Sequence, residues 1–243
     1  MAQMTGDLQI VASDLTLNSS IQMHNLGERA VTPDGRSFRY VKAGGTALVP
    51  GKLYQAPAEV TNHQNLAPTD AVAIGATSLT VTLGATAATA NQYAGGYVVI
   101  TTGTGVGYQY RISSHPAAAL NTTLTLTLED PIVVALVAAS SKIDLVANPY
   151  NGVIVNPTTA SSSSVGVAVT AVTANQYGWL QVGGPALILA DGAITVGTTV
   201  VASNAVAGAI ESGADATDTQ QVVGKSLSGI ADTEYGPVML FLS

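Results

Sequence analysis

Several short stretches of this chain hold residues whose types and spacing suggest chemistry. Gly224-Lys225-Ser226 has the ending of a phosphate-binding loop, where backbone N–H groups cradle phosphates and the Lys and Ser reach the terminal phosphate and its magnesium. The full pattern needs a Gly five residues before Gly224, and that position is Thr219. The surroundings also read as strand followed by strand, where the loop must open a helix. Glu129-Asp130 are paired carboxylates of the kind used in glycoside hydrolysis, but adjacent residues of a strand point to opposite faces. Asp215 and Asp218 sit in a Gly/Ala/Thr-rich loop that lacks the Gly and bidentate Glu of the helical calcium loop. His24, His63 and His115 are far apart, and none has a second His or Cys at metal-ligand spacing. The serines show no spacing that argues a Ser/His/Asp set. The expectation is a chain that is not an enzyme, with no catalytic set, no metal site and no cofactor.

Composition narrows the partners. Net charge is -7, and only 9% of residues are charged, against roughly 25% in ordinary domains. Nucleic-acid binding needs a basic face, so no nucleic-acid partner is expected. Arg29, Arg36, Arg39, Lys42 and Lys52 nevertheless gather most of the basic side chains in one stretch. Arg36, Arg39 and Lys42 form a strip that would steer docking to an acidic neighbour. A surface so poor in charge suits either a subunit packed against others or a secreted β-sandwich with a Ser/Thr-rich surface, and composition favours neither. There is no cysteine, hence no disulfide framework. No apolar run approaches the roughly 20 residues of a membrane span, and no export signal is legible at the N-terminus.

The elements that would position these residues read as strands. Residues 1–25 form an extended arm in which Leu8, Ile10, Leu15, Leu17 and Ile21 mostly follow strand alternation, and these five are expected to bury against a neighbouring subunit or the capsid surface. Thr32-Pro33-Asp34-Gly35 is a turn, followed by a strand over 37–42. Gly44-Gly45 then leads to a short Ala47-Leu48-Val49 strand. The segment from Gly178 repeats that logic, with Gly183-Gly184 leading to Ala186-Leu187-Ile188-Leu189. Ser78–Leu83 and Thr122–Leu128 alternate Leu or Val with Thr, the pattern of half-buried antiparallel strands. Residues 130–139 read as a strand or a short helix, and their β-branched side chains favour the strand. The run Val238–Leu242 reads as a terminal strand paired inside a sheet. No 3.6-residue stripe outcompetes alternation. The fold expected is all-β: antiparallel β-barrel or sandwich modules, with a β-rich domain over 26–150, a small β-barrel domain over 151–243, and a soft boundary within 148–164.

One pattern recurs about 58 residues apart. Val165 to Val182 and Val223 to Leu240 each run strand, polar turn, Tyr-Gly, strand. Thr89-Ala90-Asn91-Gln92-Tyr93 repeats the turn Thr173 to Tyr177 residue for residue. Packing and turn chemistry recur, with no acid, base or ligand set.

The segments Asp191-Gly192-Ala193-Ile194-Thr195-Val196-Gly197-Thr198-Thr199-Val200, Val223-Gly224-Lys225-Ser226-Leu227 and Glu234-Tyr235-Gly236-Pro237-Val238-Met239-Leu240 resemble the small β-barrel of the head decoration, or capsid cement, proteins of tailed bacteriophages. The likeness spans roughly the last 60 to 80 residues. It implies a structural virion protein on the outer surface of a capsid, bridging major capsid protein subunits, self-associating as a homotrimer, with no membrane partner. The alternative is a head fibre or tail-associated host-binding protein that recognises glycans.

Overall fold

Alternation of apolar and small polar residues sets the local structure. The computed structural model describes residues 6–213 and 220–242. Its strands, in chain order, are β1 (Leu8–Gln9), β2 (Arg29–Val31), β3 (Ser37–Ala43), β4 (Leu53–Gln55), β5 (Ser78–Thr82), β6 (Tyr97–Thr102), β7 (Gln109–Ser114), β8 (Thr123–Leu128), β9 (Lys142–Val146), β10 (Asn151–Val155), β11 (Ser164–Ala168), β12 (Tyr177–Leu189), β13 (Thr199–Ala202), β14 (Ile210–Ser212), β15 (Val222–Ser226) and β16 (Tyr235–Phe241). Helix among the described residues is confined to single 3-10 turns at Asp14–Thr16 and Thr61–His63. The protein is all-β, with barrel- and sandwich-like packing.

The chain divides into two compact units. One comprises residues 1–58 with 149–243, and the other residues 59–148. The sequence boundary near 148–164 thus meets one true border, but a second falls at 58/59. Residues 26–58 pack with the C-terminal half instead of forming a domain with 59–150. The physical reason is pairing: β4 hydrogen-bonds to β10 and β11, strands that lie about a hundred residues further on.

The 59–148 unit is a five-stranded sheet, ordered β5-β8-β7-β6-β9. Leu124, Leu126 and Leu128 of β8 are buried while Thr123, Thr125 and Thr127 are exposed, so one face closes over a core that includes Val81, Ile100, Ile112 and Ile143. Residues 130–139 are not a strand. Their chain is irregular: Leu136 bridges Val72, and Ile132 hydrogen-bonds to Gly75 and Ala76, without the continuous ladder of a strand.

The other unit contains two rings of paired strands that share β12. In the first, β3-β10-β4-β11-β12 are neighbours and β12 returns to pair with β3, enclosing Val41, Leu48, Val153, Val172 and Leu180. In the second, β12-β16-β15-β13-β14 are neighbours, and an Ala190–Ile210 bridge joins the two ends. It encloses Ile188, Ile194, Val200, Ile230 and Val238. Most pairings are antiparallel, but β1 with β2 and β10 with β3 are parallel. Gly183-Gly184 does not separate two strands, as the sequence suggested. It lies inside the continuous β12, where the strand passes from one ring to the next. Gly184 has φ +82, and a methyl on it would sit 3.1–3.2 Å from Arg36 carbons, which is why glycine stands there.

The repeated turn has a common job. Four pairs of loops clasp each other by reciprocal backbone hydrogen bonds: Leu48 with Val172, Val72 with Leu136, Ala88 with Ala118, and Ile194 with Ile230. In the last pair both N–H···O distances are 2.9 Å. Three residues after the clasp, the chain turns through a left-handed residue at Gly51, Gly75, Asn91, Asn121, Asn175, Gly197 and Thr233. Only Gly and, less readily, Asn favour that conformation. Five residues after the clasp, a strand begins at Leu53, Thr123, Tyr177, Thr199 and Tyr235. The equivalent of Ile194 is therefore Leu48, and Ala47–Val49 forms one bridge in place of the expected strand.

The Tyr-Gly pairs also find a reason. A methyl on Gly236 would lie 2.7 Å or less from three carbons of Ile230, and one on Gly178 would lie 2.6 Å from Val172 Cγ2. Each clasp side chain packs on the bare backbone six residues later.

Candidate interaction surface

The arm does not stand free. Leu8 and Gln9 pair with Ala30 and Val31, Ser19 bridges Tyr177, and the Thr170 hydroxyl donates to Leu15 O at 2.7 Å. Ile10 and Leu15 are buried with Ala30, Phe38, Tyr40 and Trp179, with Leu8 partly buried against them. Ile10 and Leu15 are spent on the chain's own core, Leu8 only in part, and the two buried ones are not open to a neighbour. Leu17 and Ile21 are, at 66% and 70% exposure, and Met23 joins them at 69%. Alternation alone could not separate these two halves of the arm, because both carry the same pattern.

The basic strip is also engaged at home. Arg29 pairs with Asp7 at 2.9 Å and Arg36 Nε with Asp34 at 2.7 Å. Hydrogen bonds from Thr32 and Arg36 hold the Asp34 carboxyl below its usual range. Arg39 donates to Gly27 O at 2.9 Å and lies over the Tyr150 ring, while Lys42 lies over the Tyr177 ring. Arg36, Arg39 and Lys42 therefore form internal contacts before any docking.

The chemistry candidates disperse. Lys225 and Ser226 lie in strand β15 with no helix following. Glu129 pairs with Arg111 at 3.3 Å. Asp215 and Asp218 lie outside the described residues, and among those described no cluster of three His, Asp or Glu could hold a metal. Two of the histidines do meet, on Tyr93. The Tyr93 hydroxyl donates to His63 Nδ1, His63 Nε2 donates to Thr86 O at 2.9 Å, Tyr93 N donates to His115 Nε2 at 2.9 Å, and His115 Nδ1 donates to Pro116 O at 2.8 Å. All three side chains are buried. Burial pushes the Tyr93 hydroxyl well above its ordinary value and the His115 imidazole below its own. Each ring nitrogen has a hydrogen-bond partner, so this is a buried lock between three loops. The only sequence sign of it was the repeated turn at Asn91.

What the fold leaves open is an apolar ladder. Along the second ring, β12 and β16 pair Pro185 with Met239, Leu187 with Pro237, and Leu189 with Tyr235. Ala186, Ile188, Val238 and Leu240 alternate with these and fill the core. The outward set is apolar throughout, and Leu187, Tyr235 and the adjoining Phe241 are each more than half exposed. A hollow of about 570 Å³ opens beside it, lined by Pro50, Val169, Leu187, Tyr235 and Pro237, with Arg36 and Gln181 as its polar members. Gln181 is fully buried, and its Oε1 accepts no hydrogen bond. The Tyr235 ring is seated on Gly51, where a methyl would come within 2.5 Å of it. An exposed apolar patch of this kind makes the ladder the candidate interaction surface. Sequence reading missed it because the ladder forms only when β12 and β16, some fifty residues apart, come into register. Comparison of the chain with known protein families, with curated proteins and with solved structures found no match.

Proposed function

We propose that this chain is a non-catalytic structural protein of a tailed-phage virion, decorating the outside of the capsid and bridging neighbouring major capsid protein subunits. The observation that carries the reading is the bare apolar ladder of Leu187, Tyr235 and Pro237. It lies on the ring that contains the segments resembling capsid cement proteins. The remaining features agree with it. A charge content of 9% suits a lattice subunit, and clasped, β-ringed modules resist deformation because their backbone bonds link distant parts of the chain. Reconstruction of purified particles tests the assignment, with the expected density repeating over the outer shell at the symmetry of the major capsid protein. Density only inside the shell, or only at the tail as the host-binding alternative requires, overturns it.

A further inference from the structure

The two rings carry the same ladder twice, and only one copy is covered. By the clasp equivalences, Tyr177 corresponds to Tyr235 and Trp179 to Pro237, so the β3–β12 ladder of the first ring matches the β12–β16 ladder of the second. On the first, Lys42 pairs with Tyr177 and Tyr40 with Trp179. Ile10 and Leu15 of the arm pack against that ladder and bury Tyr40 and Trp179. On the second, nothing in the chain's described residues covers Leu187 or Tyr235, which remain 59% and 51% exposed. The molecule thus displays the kind of segment that closes such a ladder, an apolar stretch of its own arm that passes through the 3-10 turn at Asp14–Thr16.

The same arm offers a further set of side chains. Leu17, Ile21 and Met23, the arm's ridge, are exposed apolar side chains that flank its Ser19 bridge to Tyr177. No acid or base lies between Leu15 and Met23, which suits a surface whose polar members are a paired Arg36 and the unbonded acceptor of Gln181. Area is adequate as well. Tyr235 and Phe241 each show about half of the 150–250 Å² of an aromatic side chain, roughly 100 Å² apiece. With Leu187, Pro185 and their half-buried neighbours, the patch reaches on the order of 500 Å², a large share of the roughly 800 Å² that one partner contributes to a stable interface.

We propose that the bare β12–β16 ladder is covered by a second copy of this chain, through the Leu17, Ile21 and Met23 ridge of that copy's arm. Each arm then serves two ladders, its own first ring through Ile10 and Leu15 and a neighbour's second ring through the ridge. Ridge and ladder are different surfaces, so the contact either closes reciprocally as a two-fold dimer or runs head-to-tail into a ring or filament. The proposal rests on the reading of the ladder as an interface and is independent of the capsid assignment.

Sedimentation of the full chain over a concentration series tests it, with two surface variants, Leu17→Ser/Ile21→Ser/Met23→Ser and Leu187→Asp. Far-UV circular dichroism and Trp179 fluorescence verify that both fold. The wild type is expected to assemble with rising concentration, and each variant alone to stay monomeric. An equimolar mixture of the two variants should give a dimer and nothing larger, since one intact ridge then meets one intact ladder. A wild type that stays monomeric at every concentration overturns the proposal, as does a ridge variant that still assembles or a mixture that forms no dimer. Capsid binding is not read here, so failure of the ridge-to-ladder contact is distinguishable from failure of the capsid role. If either variant misfolds, Met23→Ser and Leu187→Ser singly must each raise the dissociation constant at least tenfold, and unchanged constants overturn the proposal.

Discussion

Replacing Gly236 by Ala tests whether the Tyr-Gly pairs exist to receive the clasp side chains. The backbone at Gly236 is not left-handed, so the substitution adds a methyl without changing the conformational demand. That methyl would lie within 2.7 Å of Cγ1, Cδ1 and Cγ2 of Ile230. Two of these carbons are anchored directly to Cβ, and Ile230 is 4% exposed, so it has little room to turn. Its backbone is fixed as well by the paired bonds to Ile194. Overpacking of this kind costs about 1–3 kcal/mol, and three contacts on one stiff side chain place Gly236→Ala toward the upper part. With a urea m-value of about 1–3 kcal/mol/M, a 2 kcal/mol loss lowers the midpoint by roughly 1 M. Ile230→Ala alone leaves a cavity and costs about 2–5 kcal/mol, but it also makes room for the new methyl. The double variant should therefore be more stable than the sum of the single losses by at least about 1 kcal/mol. The assay is urea unfolding by circular dichroism, with amide exchange at Ile194 and Ile230 reporting the clasp itself. A Gly236→Ala effect below about 0.5 kcal/mol, the level of an ordinary surface change, would refute the reasoning, as would strict additivity in the cycle. Gly178→Ala, facing the smaller Val172, should cost less.

Thr233 is a β-branched residue at φ +65, a conformation costing an L-residue about 1–2 kcal/mol. Thr233→Gly relieves that but adds about 0.5–1 kcal/mol of chain entropy, so it should raise the urea midpoint by a few tenths of a molar unit; a lower midpoint would show that the Thr233 side chain contributes more than its backbone costs. His115 is held neutral by burial, below its ordinary value of 6.5. The unfolded chain takes up a proton near that value before the native chain does, so stability is present above it and lost as pH falls through it toward the lowered native value. The melting temperature should fall between pH 7.5 and pH 5, and His115→Gln should flatten the fall; an equal fall in both proteins would assign it to other groups. Leu15→Ala removes a core side chain and should cost about 2–4 kcal/mol with a red shift of Trp179 emission, whereas Leu17→Ala should stay within about 0.5 kcal/mol in the monomer; equal losses would mean the arm is not divided as described.

What the sequence determined by itself was local. Alternating Leu and Thr in β8 dictated one buried and one exposed face. The Asn-Gln-Tyr turns at Asn91 and Asn175 are left-handed because Asn tolerates that conformation over a span of a few residues. The composition excluded disulfides and argued for strands throughout. The tertiary structure decided everything that depends on which segments meet. Leu48 clasps Val172 across more than a hundred residues, so the inclusion of residues 26–58 in the C-terminal unit had no short-range sign. Leu15 and Leu17 are two residues apart, as on one face of a strand, but the 3-10 turn at Asp14–Thr16 breaks that alternation, burying Leu15 with Trp179 and leaving Leu17 in solvent. Leu187 and Tyr235 are ordinary strand residues until β12 and β16 pair, when alternation on two strands sums to one continuous apolar face. Periodicity says which side chains share a face of a strand; only the register between distant strands says whether that face is covered.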